Sequence, residues 1–93
     1  MARPKIRRRI QFQPKVLIFK PEGTSPARLQ TVKLADDELE ALRLKYVEGW
    51  EQTQCARAMQ VSQSTFQRIL QSANEKVSQA LVQGKAIKLL GSK

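Results

Sequence analysis

Gln63, Gln67 and Gln71 stand four residues apart, as do Ser64 and Arg68, so on a helix the five occupy one side. Their chemistry is that of reading base edges. A glutamine amide pairs bidentately with adenine and an arginine guanidinium with guanine, each good pair discriminating by about 1–3 kcal/mol, while serine is permissive. Around them stand Thr53, Gln54, Ser62, Thr65 and Arg57. Their hydroxyls, amide and guanidinium, with the free amide hydrogens at helix starts, are groups that grip phosphates and fix register without reading bases. Lys76 adds charge at the flank. The same residue types also serve as plain capping and solvated helix surface, so the elements that carry them decide what they do.

Those elements form a helix-turn-helix pattern between residues 52 and 71. Cys55, Ala56 and Met59 fall on one helical face, Val61 sits in the turn, Ser62 can cap a second helix, and Phe66, Ile69 and Leu70 form its inward stripe. Two helices crossing steeply through a short turn need a small side chain where their backbones approach, and Ala56 stands at that place. The second helix meets no breaker until Gly84, giving about twenty residues or roughly 30 Å. In its surplus, Phe66, Leu70, Ala73, Val77 and Ala80 or Leu81 continue one apolar stripe, which something must cover. Packing of segment 15–20 and tail 85–90 would do so within one chain; a dimer seam with a second copy would do so between two.

Charge is distributed in blocks. The chain has 93 residues and a formal charge of +9. Residues 1–20 hold seven Lys or Arg and no acid; residues 36–51 hold six acids against Arg43 and Lys45; residues 52–93 hold six bases and only Glu75. The N-terminal arm and the helix-turn-helix region thus share one sign of charge, which suits a polyanionic partner. No apolar run approaches the roughly 20 residues needed to span a bilayer, and the start lacks the apolar core of a signal peptide, so a cytoplasmic protein with no membrane partner is expected. One cysteine and no histidine exclude an internal disulfide and argue against a protein-ligated metal or other cofactor.

The expected fold is mainly α: a helix-turn-helix three-helix core with a long third helix, plus short N- and C-terminal strands. Residues 1–14 read as a basic flexible arm, in which Arg3, Lys5, Arg7, Arg8 and Arg9 repel one another and could track phosphates or enter a narrow minor groove. Residues 15–93 then make a single domain. Segment 15–20 has strand composition and ends at Pro21, residues 22–26 read as a loop, and residues 31–34 as a second extended piece. A first helix starts at Asp36 or Asp37, whose carboxylates can accept its first amide hydrogens, and runs to about Glu48, ended by Gly49. Leu39, Leu42 and Tyr46 form its core stripe, with Leu44 and Val47 at the flank. Its acidic side reads as solvated surface, or as a face for a basic patch on RNA polymerase. The next helix begins near Glu51.

The strings L-A-D-D-E-L-E-A-L-R-L at residues 34–44, Glu48-Gly49, and C-A-R-A-M-Q-V-S-Q-S-T-F-Q-R-I-L at residues 55–70 resemble region 4 of bacterial sigma factors. Nearly the whole chain resembles the family of predicted DNA-binding proteins known as domain of unknown function 134, through A-R-P-K at the start, F-K-P at 19–21, E-A-L-R-L at 40–44, V-S-Q-S-T-F-Q-R-I-L at 61–70 and A-L-V-Q-G-K-A-I at 80–87. The resemblance implies a helix-turn-helix fold and a transcriptional role. Such turns usually have glycine where this chain has Gln60, a position that often needs a left-handed backbone at a cost on the order of 1 kcal/mol. Relatives commonly have arginine where this chain has Gln63.

The function these features predict is sequence-specific binding of double-stranded DNA, in a transcriptional regulator. The alternatives are an RNA- or ribosome-associated basic protein, or a partner of RNA polymerase resembling a detached sigma region 4. A single-strand RNA reader needs aromatic stacking platforms, and Trp50, Tyr46 and Phe66 all fit core or hinge positions. An enzyme is not expected: the chain has no histidine, no phosphate-binding glycine loop, and its acids crowd on one helix.

Overall fold

A computed structural model describes residues 18–89. The elements, in chain order, are strand β1 (Ile18–Phe19), a 3-10 turn (Pro26–Arg28), strand β2 (Thr31–Leu34), helix α1 (Asp36–Leu42), a π-helical turn (Arg43–Val47), helix α2 (Gln52–Met59), helix α3 (Gln63–Gln83) and strand β3 (Ala86–Leu89). The expected arm, residues 1–14, lies outside the described residues, as do residues 15–17 of the first expected strand and Leu90 of the tail.

Three helices meet around one apolar core. Ala41 and Leu44 come from the first helical segment, Cys55, Ala56 and Met59 from α2, and Phe66 and Leu70 from α3. Phe66 and Met59, both fully buried, are the large side chains of this core, and Ala41, Cys55 and Ala56 are the small ones packed with them. The Cys55 Sγ donates to the Trp50 carbonyl at 3.7 Å; burial pushes its thiol pKa up, against a smaller lowering by Lys45, so it stays protonated and packs as a small apolar group.

The sheet has the order β1-β3-β2, with β3 in the centre, antiparallel to β1 and parallel to β2. Strand residues alternate between faces, and Leu34 and Leu89 close a second core with Ala73, flanked by Leu39, Leu42, Val77 and Ile87. The long α3 stripe is therefore covered within the chain, by β2 and β3. Of the expected N-terminal strand, the described residues Ile18 and Phe19 are half exposed and lie at the outer edge of the sheet, beside β3. At the far end of the stripe Ala80 is buried and Leu81 is exposed. Gly84 closes α3 in the left-handed conformation at φ 69°, turning the chain into β3.

The first helix departs most from expectation. Its N-cap is Ala35, with Asp36 and Asp37 one and two positions inside. Alanine has no side-chain acceptor, and it is the Glu38 carboxylate that reaches back to accept the Ala35 amide hydrogen at 2.9 Å. Past Leu42 the backbone widens into the π-helical turn, which places an extra residue in the turn and rotates the side chains beyond it. Leu44, expected at the flank, consequently belongs to the core, while Tyr46, expected in the core stripe, and Val47, expected at its flank, are 58% and 77% exposed. Gly49, at φ 75°, then lets the Trp50 amide return to the Leu44 carbonyl at 3.0 Å.

The expected solvated acidic side is instead partly interior, with Glu38 and Glu40 buried. Each is compensated. Arg43 donates from Nε and Nη2 to the two oxygens of Glu40 at 3.1 and 2.9 Å and from Nη1 to Glu48 at 3.0 Å, a fork that matches the carboxylate geometry. Glu38 accepts from Ser72 and from Lys76 at 2.9 Å, tying α1 to the middle of α3.

Candidate nucleic-acid interface

The turn between α2 and α3 is built from three residues. Gln60 adopts φ 60°, ψ 44°, the sole positive-φ residue besides glycine among those described. The strain expected where such turns carry glycine is thus present. It is held by two backbone bonds, from the Gln60 amide to the Arg57 carbonyl at 3.1 Å and from the Val61 amide to the Ala56 carbonyl at 3.0 Å. Ser62 then caps α3, its hydroxyl accepting from the Thr65 amide at 3.1 Å and donating to the Thr65 hydroxyl at 2.9 Å. Ser64 Oγ lies 3.3 Å from Ser62 Oγ.

With Phe66 and Leu70 turned inward, the opposite side of α3 is open. Gln63, Ser64, Gln67, Arg68 and Gln71 are all exposed, on the first three turns of the helix. Gln71 donates to Glu75 at 3.2 Å, which orients its amide along the helix. Thr53, Gln54 and Arg57 are exposed on α2, Ser62 is exposed in the turn, and Thr65 is half-buried. Gln54 Oε1 lies 3.5 Å from the Glu51 amide at the start of α2, and Ser62 and Thr65 are joined through the cap, so these three have local roles. Lys76, expected as flank charge, is turned toward Glu38. Arg3, Lys5, Arg7, Arg8 and Arg9 lie outside the described residues.

Three features of this surface were not legible in the chain. Tyr46, expected in the core, stands on the surface with its hydroxyl 3.1 Å from Asn74 Nδ2, and Trp50 is 36% exposed beside the start of α2. The π-helical turn that brings them out carries no sequence mark. The Glu38–Ser72–Lys76 cluster joins residues more than thirty positions apart, beyond the reach of local periodicity. Among the described residues no group of three or more histidine, cysteine or carboxylate side chains is placed to hold a metal ion, and no helix is long and apolar enough to cross a membrane.

In Glu38, burial raises the carboxyl pKa, but the hydrogen bonds from Ser72, the Ala35 amide and Lys76, with the charge of Lys76, outweigh it and hold the group below its ordinary value. It is therefore ionised at neutral pH, and its pair with Lys76 adds a charged contact to the apolar α1–α3 junction.

Fold and surface together define a helix-turn-helix domain with a long third helix and a small mixed sheet. The chain belongs to the family described as protein of unknown function DUF134, whose pattern matches residues 1–93. It is 54% identical over 91 residues to a UPF0251 protein of Moorella thermoacetica, 50% identical to one of Clostridium novyi and 46% identical to one of Halothermothrix orenii, in each case over 98% of this chain. It spans 61%, 62% and 67% of the length of these three relatives. No solved structure matches the chain significantly.

Proposed function

We propose that this chain binds double-stranded DNA sequence-specifically through α2 and α3 and acts as a transcriptional regulator in the cytoplasm. The observation that carries the reading is the open side of α3. Five residues with base-pairing or permissive side chains project from the first half of a capped helix whose opposite side is anchored in the core. That is the arrangement a recognition helix needs in a major groove about 12 Å wide. Arg57 and Arg68, both exposed, and the basic residues before β1 supply charge for phosphates. Selecting genomic fragments bound by the full chain tests the reading, since enrichment of one sequence motif supports it and recovery of unrelated fragments alone opposes it.

A second reading gains from Tyr46 and Trp50. Their exposure gives the surface the aromatic faces on which single-stranded bases stack, favouring an RNA-associated protein as the alternative. Competition between duplex DNA and single-stranded RNA at equal salt separates the two. The acidic residues that would meet RNA polymerase are partly engaged inside the fold, Glu38 and Glu40 being buried, which leaves the polymerase partner the weaker alternative.

A further inference from the structure

The parallel ladder between β2 and β3 sets Lys33 directly beside Lys88, and the antiparallel ladder sets Ile18 on the other side of Lys88. Neighbouring strands are about 4.8 Å apart, so two ammonium-bearing side chains rise next to each other from one face of the sheet. Both lysines and Thr31 of that face are exposed, and Lys20 is exposed just past β1. Among the described residues no carboxylate pairs with Lys20, Lys33 or Lys88. Like charges placed opposite each other in a sheet cost stability, whereas Glu38 and Glu40, the buried charges among the described residues, each have a cationic partner. A polyanion lying across this face would supply the opposite charge.

The direction of this face is fixed by the core. Leu34, Ile87 and Leu89 turn toward Ala73 and Val77 of α3, so by alternation Lys33 and Lys88 turn away from α3. At 3.6 residues per turn, Gln67 and Gln71 lie about 120° around α3 from Ala73 and Val77. A straight duplex lying along Gln67 and Gln71 therefore leaves the lysine face pointing away from it. We infer that the lysine face is a second, sequence-independent binding surface for nucleic-acid phosphates, which engages a separate duplex segment while α3 reads the first. This rests on the proposal that α3 binds duplex DNA. It gives the domain the capacity to bring two segments together.

The test uses the full chain loaded on an immobilised duplex bearing its selected sequence, then offered a labelled duplex of unrelated sequence at about 50 mM salt, where phosphate contacts are strong. The wild-type chain should capture the second duplex. Lys20→Gln/Lys33→Gln/Lys88→Gln should hold the first duplex as before and lose capture of the second at least ten-fold, and Lys33→Arg/Lys88→Arg should keep it. Arg68→Ala should alter selection of the first duplex and leave capture intact. Undiminished capture by the triple variant, or no capture by the wild-type chain, overturns the inference while leaving the α3 reading standing. Failure of the wild-type chain to hold any first duplex overturns both. Displacement of the second duplex by anionic lipid vesicles of matched charge as effective as displacement by free duplex overturns the assignment to nucleic acid.

Discussion

Nζ of Lys76 lies 2.9 Å from Oε1 of Glu38, joining the fourth turn of α3 to the first turn of α1 across a sequence separation of 38 residues. Because Glu38 also accepts from Ser72 and from the Ala35 amide, one carboxylate links the start of α1 to two positions on α3. Glu38→Ala should destabilise the chain by about 2 kcal/mol, the scale of hydrogen bonds to a charged group. Lys76→Ala, whose side chain is 36% exposed, should cost less than about 1 kcal/mol. Urea denaturation midpoints check both.

The depressed pKa of Glu38 sets a pH dependence. A carboxylate held below its ordinary value of 4.5 contributes stability that is complete above that value and disappears as pH falls through the lower folded pKa. The stability gap between wild type and Glu38→Gln should be constant from neutral pH down to about that value and close at more acidic pH. Unfolding measured from pH 7 to pH 3 reads the gap directly; a gap that widened on acidification would contradict the assignment.

At the turn, Gln60 holds φ 60° in a place where glycine is unstrained. Gln60→Gly should stabilise the domain by about 0.5–1 kcal/mol after the entropic cost of glycine, and Gln60→Val should destabilise it by more than about 1 kcal/mol. Thermal unfolding of the two variants gives opposite shifts. Equal shifts would show that the turn relaxes around either side chain.

Val77→Asp separates an internal core from an interface. Val77 packs with Ile87 against Leu34 and Leu89, so an aspartate there should cost about 2–4 kcal/mol through lost burial and an unpaired charge, independently of protein concentration. Were the stripe a seam between copies, the loss would instead grow on dilution, as sedimentation alongside denaturation would reveal.

For nucleic acid, the two classes of contact respond differently. Gln67→Ala and Arg68→Ala should each relax preference at one base pair by about 1–3 kcal/mol. Arg57→Ala should weaken all sequences alike and flatten the dependence of log affinity on log salt by about 0.9, and deletion of residues 1–9 should flatten it by several units. Uniform weakening by Arg68→Ala would move that residue from base reading to phosphate contact.

How much of the fold was legible in the chain depended on range. The helix-turn-helix was, because Ala56, Met59, Phe66 and Leu70 lie within fifteen residues and their spacing states a local geometry. Gln60 in a left-handed conformation, Ser62 as a cap and Gly84 as a stop were equally local. Segment 31–34 was legible as extended, but its place against α3 was not, since that rests on contacts of Leu34 with Ala73 and Leu89, which lie far along the chain. The first helix misled for two reasons. A π-helical turn breaks the 3.6-residue period that placed Tyr46 inside, and acids read as surface become interior once Arg43, Ser72 and Lys76 compensate them. The open side of α3 was foreseen residue by residue; the lysine face was not, because it needs strands from both ends of the described chain.

That closure has a kinetic meaning. Thr31 pairs with Ala86 and Leu34 with Leu89, so the sheet joins segments 55 residues apart, and all three helices must be threaded between them. Contacts of such separation form after local ones. The helical core can therefore arise first and the sheet zip up behind it, making the strands the earliest part to open and the place where amide protons should exchange soonest.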